Sequence, residues 1–429
     1  MAISRRRLLT AGGGLLLAAG AGGGGYALLS GGRPDGGSAD TAARDAADAA
    51  AIGRLLDRRA AAVLRRDRAA LLATVQPGAT GLRTRQAAWL DGLAQLPLAA
   101  WDYRLLALDA YPLPAALGTG ADRRRATRVQ LSYRLAGFDS EPVTATQYLT
   151  FARVGGDWYL GSDTDHPGGD VQLWDLGPVT AVRGQHCLVL GLGPAAQLRP
   201  YAELADRAVP AVSAVWGDGW GQRTVLLVPS TADQFGSLLG VDPRDFAGTA
   251  AVTSGEYGAA EGRRTERITV NPPVWAELSA LGRQVVTTHE TTHVATRAVT
   301  DTWTPRWLAE GAANWTGYLG TGLTPRQVCP ELAASVAAGY VPGQLPADSA
   351  FDGTAPDLAR TYELAWFACR SIVLRHGEAG LAACYRDVAA TGGTGGEQAA
   401  VEQALLRATG TGLAGFTALW RADLLAALR

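Results

Sequence analysis

Apolar positions along this chain change their period twice. Ile52, Leu55, Leu56, Val63 and Leu64 recur at helical spacing, and Asp67, a residue suited to capping a helix, precedes a second such set at Leu71, Leu72 and Val75. The period then falls to two: Trp101, Tyr103 and Leu105; Val129, Leu131, Tyr133 and Leu135; Val143, Ala145, Leu149 and Phe151; and last the run Trp158-Tyr159-Leu160. Helices followed by antiparallel strands predict an α+β domain over residues 51–165. His166-Pro167-Gly168-Gly169-Asp170 reads as a boundary. Beyond it, the apolar runs from Cys187 to Leu192 and from Thr224 to Val228 read as strands separated by a helix from about Ala195 to Trp216. Glu266 to Asn271 reads as a further strand, halted by Pro272-Pro273. From there the pattern is helical towards Arg429, so residues 171–429 are expected to form a second domain, a small sheet followed by helices.

The helical stretch after Ser279 carries the chemistry. Leu281, Val285 and Val286 recur at helical spacing and lead without a break into His289-Glu290-Thr291-Thr292-His293, in a chain with five histidines. Residues four apart share a helix face, so both imidazoles can reach one metal ion with Glu290 beside it. At this chain's own His and Glu frequencies, the pattern arises by chance on the order of once in several hundred such sequences. A catalytic zinc needs a third protein ligand and an open position. Thr296 and Val299 occupy the glycine and histidine positions of the extended metzincin signature, which excludes that solution. Glu310, among the apolar neighbours of Trp307-Leu308-Ala309-Glu310-Gly311 and just inside a helix that starts after Thr304-Pro305, is one candidate; Asp301, nearer in sequence, is the other.

These motifs resemble the glutamate-zincin peptidases of the thermolysin and aminopeptidase N type, and most closely their peptidase MA-like bacterial relatives. The likeness rests on H-E-x-x-H at His289 to His293, W-L-x-E-G at Trp307 to Gly311 and a later Tyr362-Glu363-Leu364-Ala365-Trp366-Phe367 helix, and spans roughly the C-terminal 250 residues. It implies a thermolysin-like zincin domain with a small mixed sheet and a helical C-terminal part. It further implies zinc (Zn2+) held by His289, His293 and Glu310, and peptide-bond hydrolysis in which Glu290 takes a proton from water and returns it to the leaving amine. The second electrophile for the oxyanion would be Tyr362, with His376 beside Gly377 as the alternative. An edge strand just before the metal helix borders the cleft in that family, which makes the strand ending at Asn271 the expected substrate rail and Asn271 a substrate contact. Nothing matches the Gly-Ala-Met-Glu-Asn segment by which aminopeptidases hold a free amine, so exopeptidase action is not implied. By its pattern of helices then strands, the first domain resembles the nuclear-transport-factor-like cone fold, and it holds no catalytic constellation.

Three further features bear on where such a protein would work. Ser4-Arg5-Arg6-Arg7-Leu8-Leu9 followed by an uncharged Leu-, Ala- and Gly-rich stretch to Gly32 matches a twin-arginine export signal or anchor over residues 1–32, with a flexible Gly-, Ala- and Asp-rich linker expected over 33–50. The expected location is therefore outside the cytoplasm, secreted or held at the membrane surface by that segment. Cys187, Cys329, Cys369 and Cys384 allow three full pairings, and Cys369 and Cys384, almost equally spaced about Gly377, are the pair a helical turn there would bring together; buried free thiols are the alternative. Arginine is the sole basic residue besides histidine, net charge is −1 and no basic stripe occurs, so nucleic acid is excluded as a partner and a peptide or protein substrate is expected. Two other readings stay open on sequence alone: a binding protein that keeps the fold without catalysis, and a zinc hydrolase acting on a non-peptide amide.

Overall fold

The computed structural model describes residues 36–114, 120–254, 265–301, 303–352, 355–391 and 396–429. The described residues are mixed α and β and form two compact units, one ending at Thr180 and one beginning at Ala181. The first opens with α1 (Gly36–Leu64), α2 (Arg68–Ala73) and α3 (Thr80–Gly92). Asp67 caps α2, its carboxylate accepting from the Ala70 amide at 2.9 Å, as its place before the apolar repeat predicts. A meander follows, β1 (Leu98–Ala107), β2 (Arg123–Leu135), β3 (Val143–Val154) and β4 (Asp157–Ser162), all neighbours antiparallel. The alternating positions Trp101, Tyr103, Val129, Leu131, Tyr133, Ala145, Leu149 and Phe151 are all buried.

Two expectations are corrected in this unit. The stretch written as a flexible linker is helical from Gly36 onward, because Asp45 and Asp48 pair with Arg125 of β2 and draw the Ala-rich segment into α1. The turn-rich run at His166 does not end the unit either; the chain continues through α4 (Leu173–Leu176), whose Trp174 packs 5.5 Å from Trp101. Residues 1–35, with the twin-arginine stretch, lie outside the described residues, and among those described no helix is long and apolar enough to cross a membrane.

The second unit is built on a five-stranded sheet in the order β5-β6-β7-β9-β8, from β5 (Thr180–Arg183), β6 (Cys187–Gly191), β7 (Thr224–Val228), β8 (Ala251–Ser254) and β9 (Arg267–Val270). Strands β6, β7 and β9 run parallel, and α5 (Ala195–Trp216) makes the crossover between the first two. The helix α6 (Ala232–Leu239) precedes β8, which pairs antiparallel with β9. Among the described residues the edges of the sheet are β5 and β8, and the strand ending at Asn271 lies inside it, paired on both sides.

After α7 (Pro272–Glu277), α8 (Ala280–Thr296) carries the histidine motif, with the Ser279 hydroxyl capping it at Gly282. This helix is buried nearly all round, although threonines stud it. Thr287, Thr288, Thr291, Thr292 and Thr296 each donate a hydroxyl hydrogen bond to the carbonyl four residues back, at 2.7–2.9 Å, so burial leaves no hydroxyl unsatisfied there.

The rest is helical: α9 (Arg306–Tyr318), α10 (Pro325–Val328), α11 (Pro330–Ala337), α12 (Leu358–Thr391), α13 (Gly396–Thr409) and α14 (Leu413–Leu428). Trp307, Leu308, Ala365, Phe367, Tyr385, Phe416 and Trp420 are at the centre of its core. Gly377 breaks α12 with φ 68° and ψ 178°, a conformation that favours glycine. Cys369 and Cys384, on either side of that break, are free and buried, as are Cys187 and Cys329. Burial holds every one of these thiols protonated, and Cys384 is pushed up to about 12.

Candidate metal centre

Two glycines decide how closely α9 can lie against its neighbours. A Cβ on Gly317 would stand 2.9 Å from the Val285 carbonyl oxygen of α8, and one on Gly311 would meet the Ala365 carbonyl and lie 2.8 Å from the Cys369 sulfur of α12. The helix is thus held between α8 and α12 by backbone contacts, which brings Glu310 over the histidine face of α8. The glycine after Glu310 in the W-L-x-E-G run has this packing role.

The three side chains converge. His289 Nε2 and His293 Nε2 are 3.0 Å apart, and Glu310 Oε2 lies 3.3 Å from the first and 3.5 Å from the second. All three residues are buried, Glu310 completely. Three atoms bound at about 2.0–2.1 Å to one tetrahedral zinc stand about 3.3 Å apart. The observed triangle matches that spacing. Two imidazole nitrogens at 3.0 Å and a buried carboxylate with no hydrogen-bond partner for either oxygen among the described residues would be costly without a cation among them. The donor set, two nitrogens and one oxygen, suits zinc.

A fourth residue fixes the first ligand. Asn314 Oδ1 lies 3.0 Å from His289 Nδ1; with the hydrogen on Nδ1 the imidazole donates to the amide oxygen and keeps the Nε2 lone pair free. Asn314 is four residues after Glu310 on α9, one turn along the same face, a spacing the sequence offered and the sequence reading passed over.

Electrostatics agree with a cation-binding trio. Burial pushes the Glu310 carboxyl up, but the two imidazoles outweigh burial and hold it down to about 2. Burial likewise depresses His289, yet its contact with Glu310 and the charges of both glutamates raise it above the usual value. Glu290, adjacent in sequence, belongs to no such trio. It is fully buried, and burial raises its pKa against the opposing pull of both histidines and the Thr253 hydroxyl. Thr253 donates to Glu290 Oε2 at 2.6 Å, and Oε1 has no hydrogen-bond partner among the described residues.

Other expected site residues are placed differently. Asp301 is exposed and outside the cluster. His376 is exposed beside the break in α12. Tyr362 is buried, its ring edge-on to Phe351 at 5.3 Å, and makes no hydrogen bond among the described residues. Burial pushes its phenol well up, and the charges of Glu310 and Glu290 add to that, so the group is a neutral O–H donor that feels both carboxylates. Asn271 is a correction. It is 1 % exposed, and its amide donates to the carbonyls of Phe246 and Thr249 at 3.0 and 2.9 Å, so it braces the loop before β8 and has no face for substrate.

No known protein-family model matches this chain, and no curated protein is significantly similar to it. Among solved structures, it is similar to a two-domain M1 zinc metallopeptidase variant bound to L-arginine, with 12% identity, TM-score 0.37 and coverage of 77% of this chain and 94% of that one. It is also similar to the M1 zinc metallopeptidase from Deinococcus radiodurans, with 13% identity, TM-score 0.33 and coverage of 78% and 72% respectively. Likeness this loose carries no argument about chemistry, which rests on the residues themselves.

Proposed function

We propose that this protein is an exported zinc-dependent peptidase. The observation that carries the reading is the buried triangle of His289 Nε2, His293 Nε2 and Glu310 Oε2, with the unshared oxygen of Glu290 on the same helix. His289, His293 and Glu310 would hold the metal, and Asn314 would keep His289 in the binding tautomer. A zinc ion held there supplies Lewis acidity, which eases deprotonation of water and polarises a carbonyl. Glu290 is then the proton acceptor: a buried carboxylate with raised proton affinity and one free oxygen takes the proton from attacking water and passes it to the leaving amine. Tyr362, a neutral donor sensitive to both glutamates, is the group assigned to the developing oxyanion.

The test is a peptide library offered to the full chain as purified, after chelation, and after zinc is restored. Cleavage that disappears with chelator and returns with zinc is expected; a chain that cleaves nothing in any state defeats the reading.

Export belongs to the same proposal, on the strength of Arg5-Arg6 ahead of an uncharged apolar stretch. Changing Arg5 and Arg6 to Lys should retain the protein in the cytoplasm, as read by fractionation of the producing cells. Unchanged export would remove the twin-arginine assignment.

A further inference from the structure

Strand β8 alternates as a buried strand should. Val252 packs with Phe235 and Phe246 on one face, while Ala251 joins Val286 of α8 in the core on the other. Thr253, two residues on from Ala251, shares the α8 side, is 2 % exposed and pairs with Ile268 of β9 across the ladder. Its hydroxyl has two acceptors on Glu290, the side-chain Oε2 at 2.6 Å and the backbone carbonyl at 3.1 Å. One hydroxyl carries one proton, and the shorter contact, to the carboxylate, takes it.

That bond makes the two oxygens of Glu290 inequivalent. Oε2 is tied to the sheet edge and Oε1 has no partner among the described residues. A glutamate side chain on its own turns freely about its last torsion, which would exchange the two oxygens and swing either away from the reacting water. A base must hold its acceptor oxygen within hydrogen-bond reach of the proton it removes. We propose that Thr253 is the positioning residue of the base: it fixes Glu290 through Oε2 so that Oε1 alone exchanges the proton. The inference rests on the peptidase reading above and names a residue outside its metal and acid–base set.

Thr253→Val keeps the side-chain shape and removes the hydroxyl, whereas Thr253→Ser keeps the hydroxyl. On a quenched-fluorescent peptide from the library that the wild-type chain cleaves, Thr253→Val should lower kcat about 10–100-fold, the scale of a small misplacement of a catalytic group. KM should stay within about twofold, because the hydroxyl touches the base and not the substrate. Zinc content should be unchanged, and Thr253→Ser should recover most of the rate. A second measurement needs no turnover: in the metal-free chain, Thr253→Val should lower the urea midpoint more when Glu290 is present than in a Glu290→Leu background, where the hydroxyl has only the backbone carbonyl to lose, a non-additivity that a merely structural threonine would not give.

Wild-type kcat in Thr253→Val, or equal midpoint shifts in both backgrounds, would overturn the assignment while leaving the peptidase reading intact. A wild-type chain that cleaves no peptide removes the base and the positioning role together. In that case the urea cycle still reports whether the tether exists.

Discussion

Glu290→Gln is expected to leave zinc bound at the wild-type level and to lower kcat by about 10²–10⁴-fold, the range typical of a lost general acid–base group. The substitution keeps size and shape, and the three proposed ligand atoms belong to other residues, so the metal site should fill normally. The amide can still accept from Thr253 through its oxygen, which preserves the local packing. What it loses is the capacity to hold a proton. Glu290 is suited to that task because burial raises its proton affinity while the histidines and Thr253 oppose the rise. A rate unchanged in this variant, with zinc confirmed by elemental analysis, would take the base away from Glu290. A loss of zinc along with the rate would mean that Glu290 belongs to the metal site instead.

The motif helix and its partners were legible because the information is local. H-E-x-x-H puts two imidazoles on one face by helical spacing alone, and the W-L-x-E-G run offers Glu310 as a third candidate beside Asp301, a choice that the burial of Glu310 next to the imidazoles favours. Strands β6 and β7 and helix α5 match the apolar runs closely for the same reason. What escaped is set by pairing across the chain. β8 has four residues and no distinctive pattern, so neither its place at the sheet edge nor the reach of Thr253 to Glu290, thirty-seven residues away, can be read before the register is known. The same register turned Asn271 from an expected substrate contact into a buried brace. The α1 extension failed on propensity: an Ala- and Asp-rich segment looks like a tether until Arg125, some eighty residues away, supplies the counter-charge.

Glu310→Ala should lower zinc affinity by more than the roughly 10–100-fold expected for loss of an outer-shell partner, and activity should fall with it. Two imidazoles 3.0 Å apart remain, but the anionic corner of the triangle is gone. The Asp301→Ala control should keep its metal, since Asp301 is exposed and outside the cluster. The metal-free protein gives a second reading. Glu310 has its folded pKa held down to about 2, against 4.5 for an unperturbed glutamate, so its ionised form stabilises the fold above about pH 4.5, and that contribution fades as pH falls towards 2. Glu310→Ala removes this dependence, flattening the acid limb of the metal-free stability curve between those values, while Asp301→Ala leaves it. Zinc retained at wild-type affinity in Glu310→Ala, or lost in Asp301→Ala, would move the third ligand to the exposed aspartate and undo the triangle on which the peptidase reading stands.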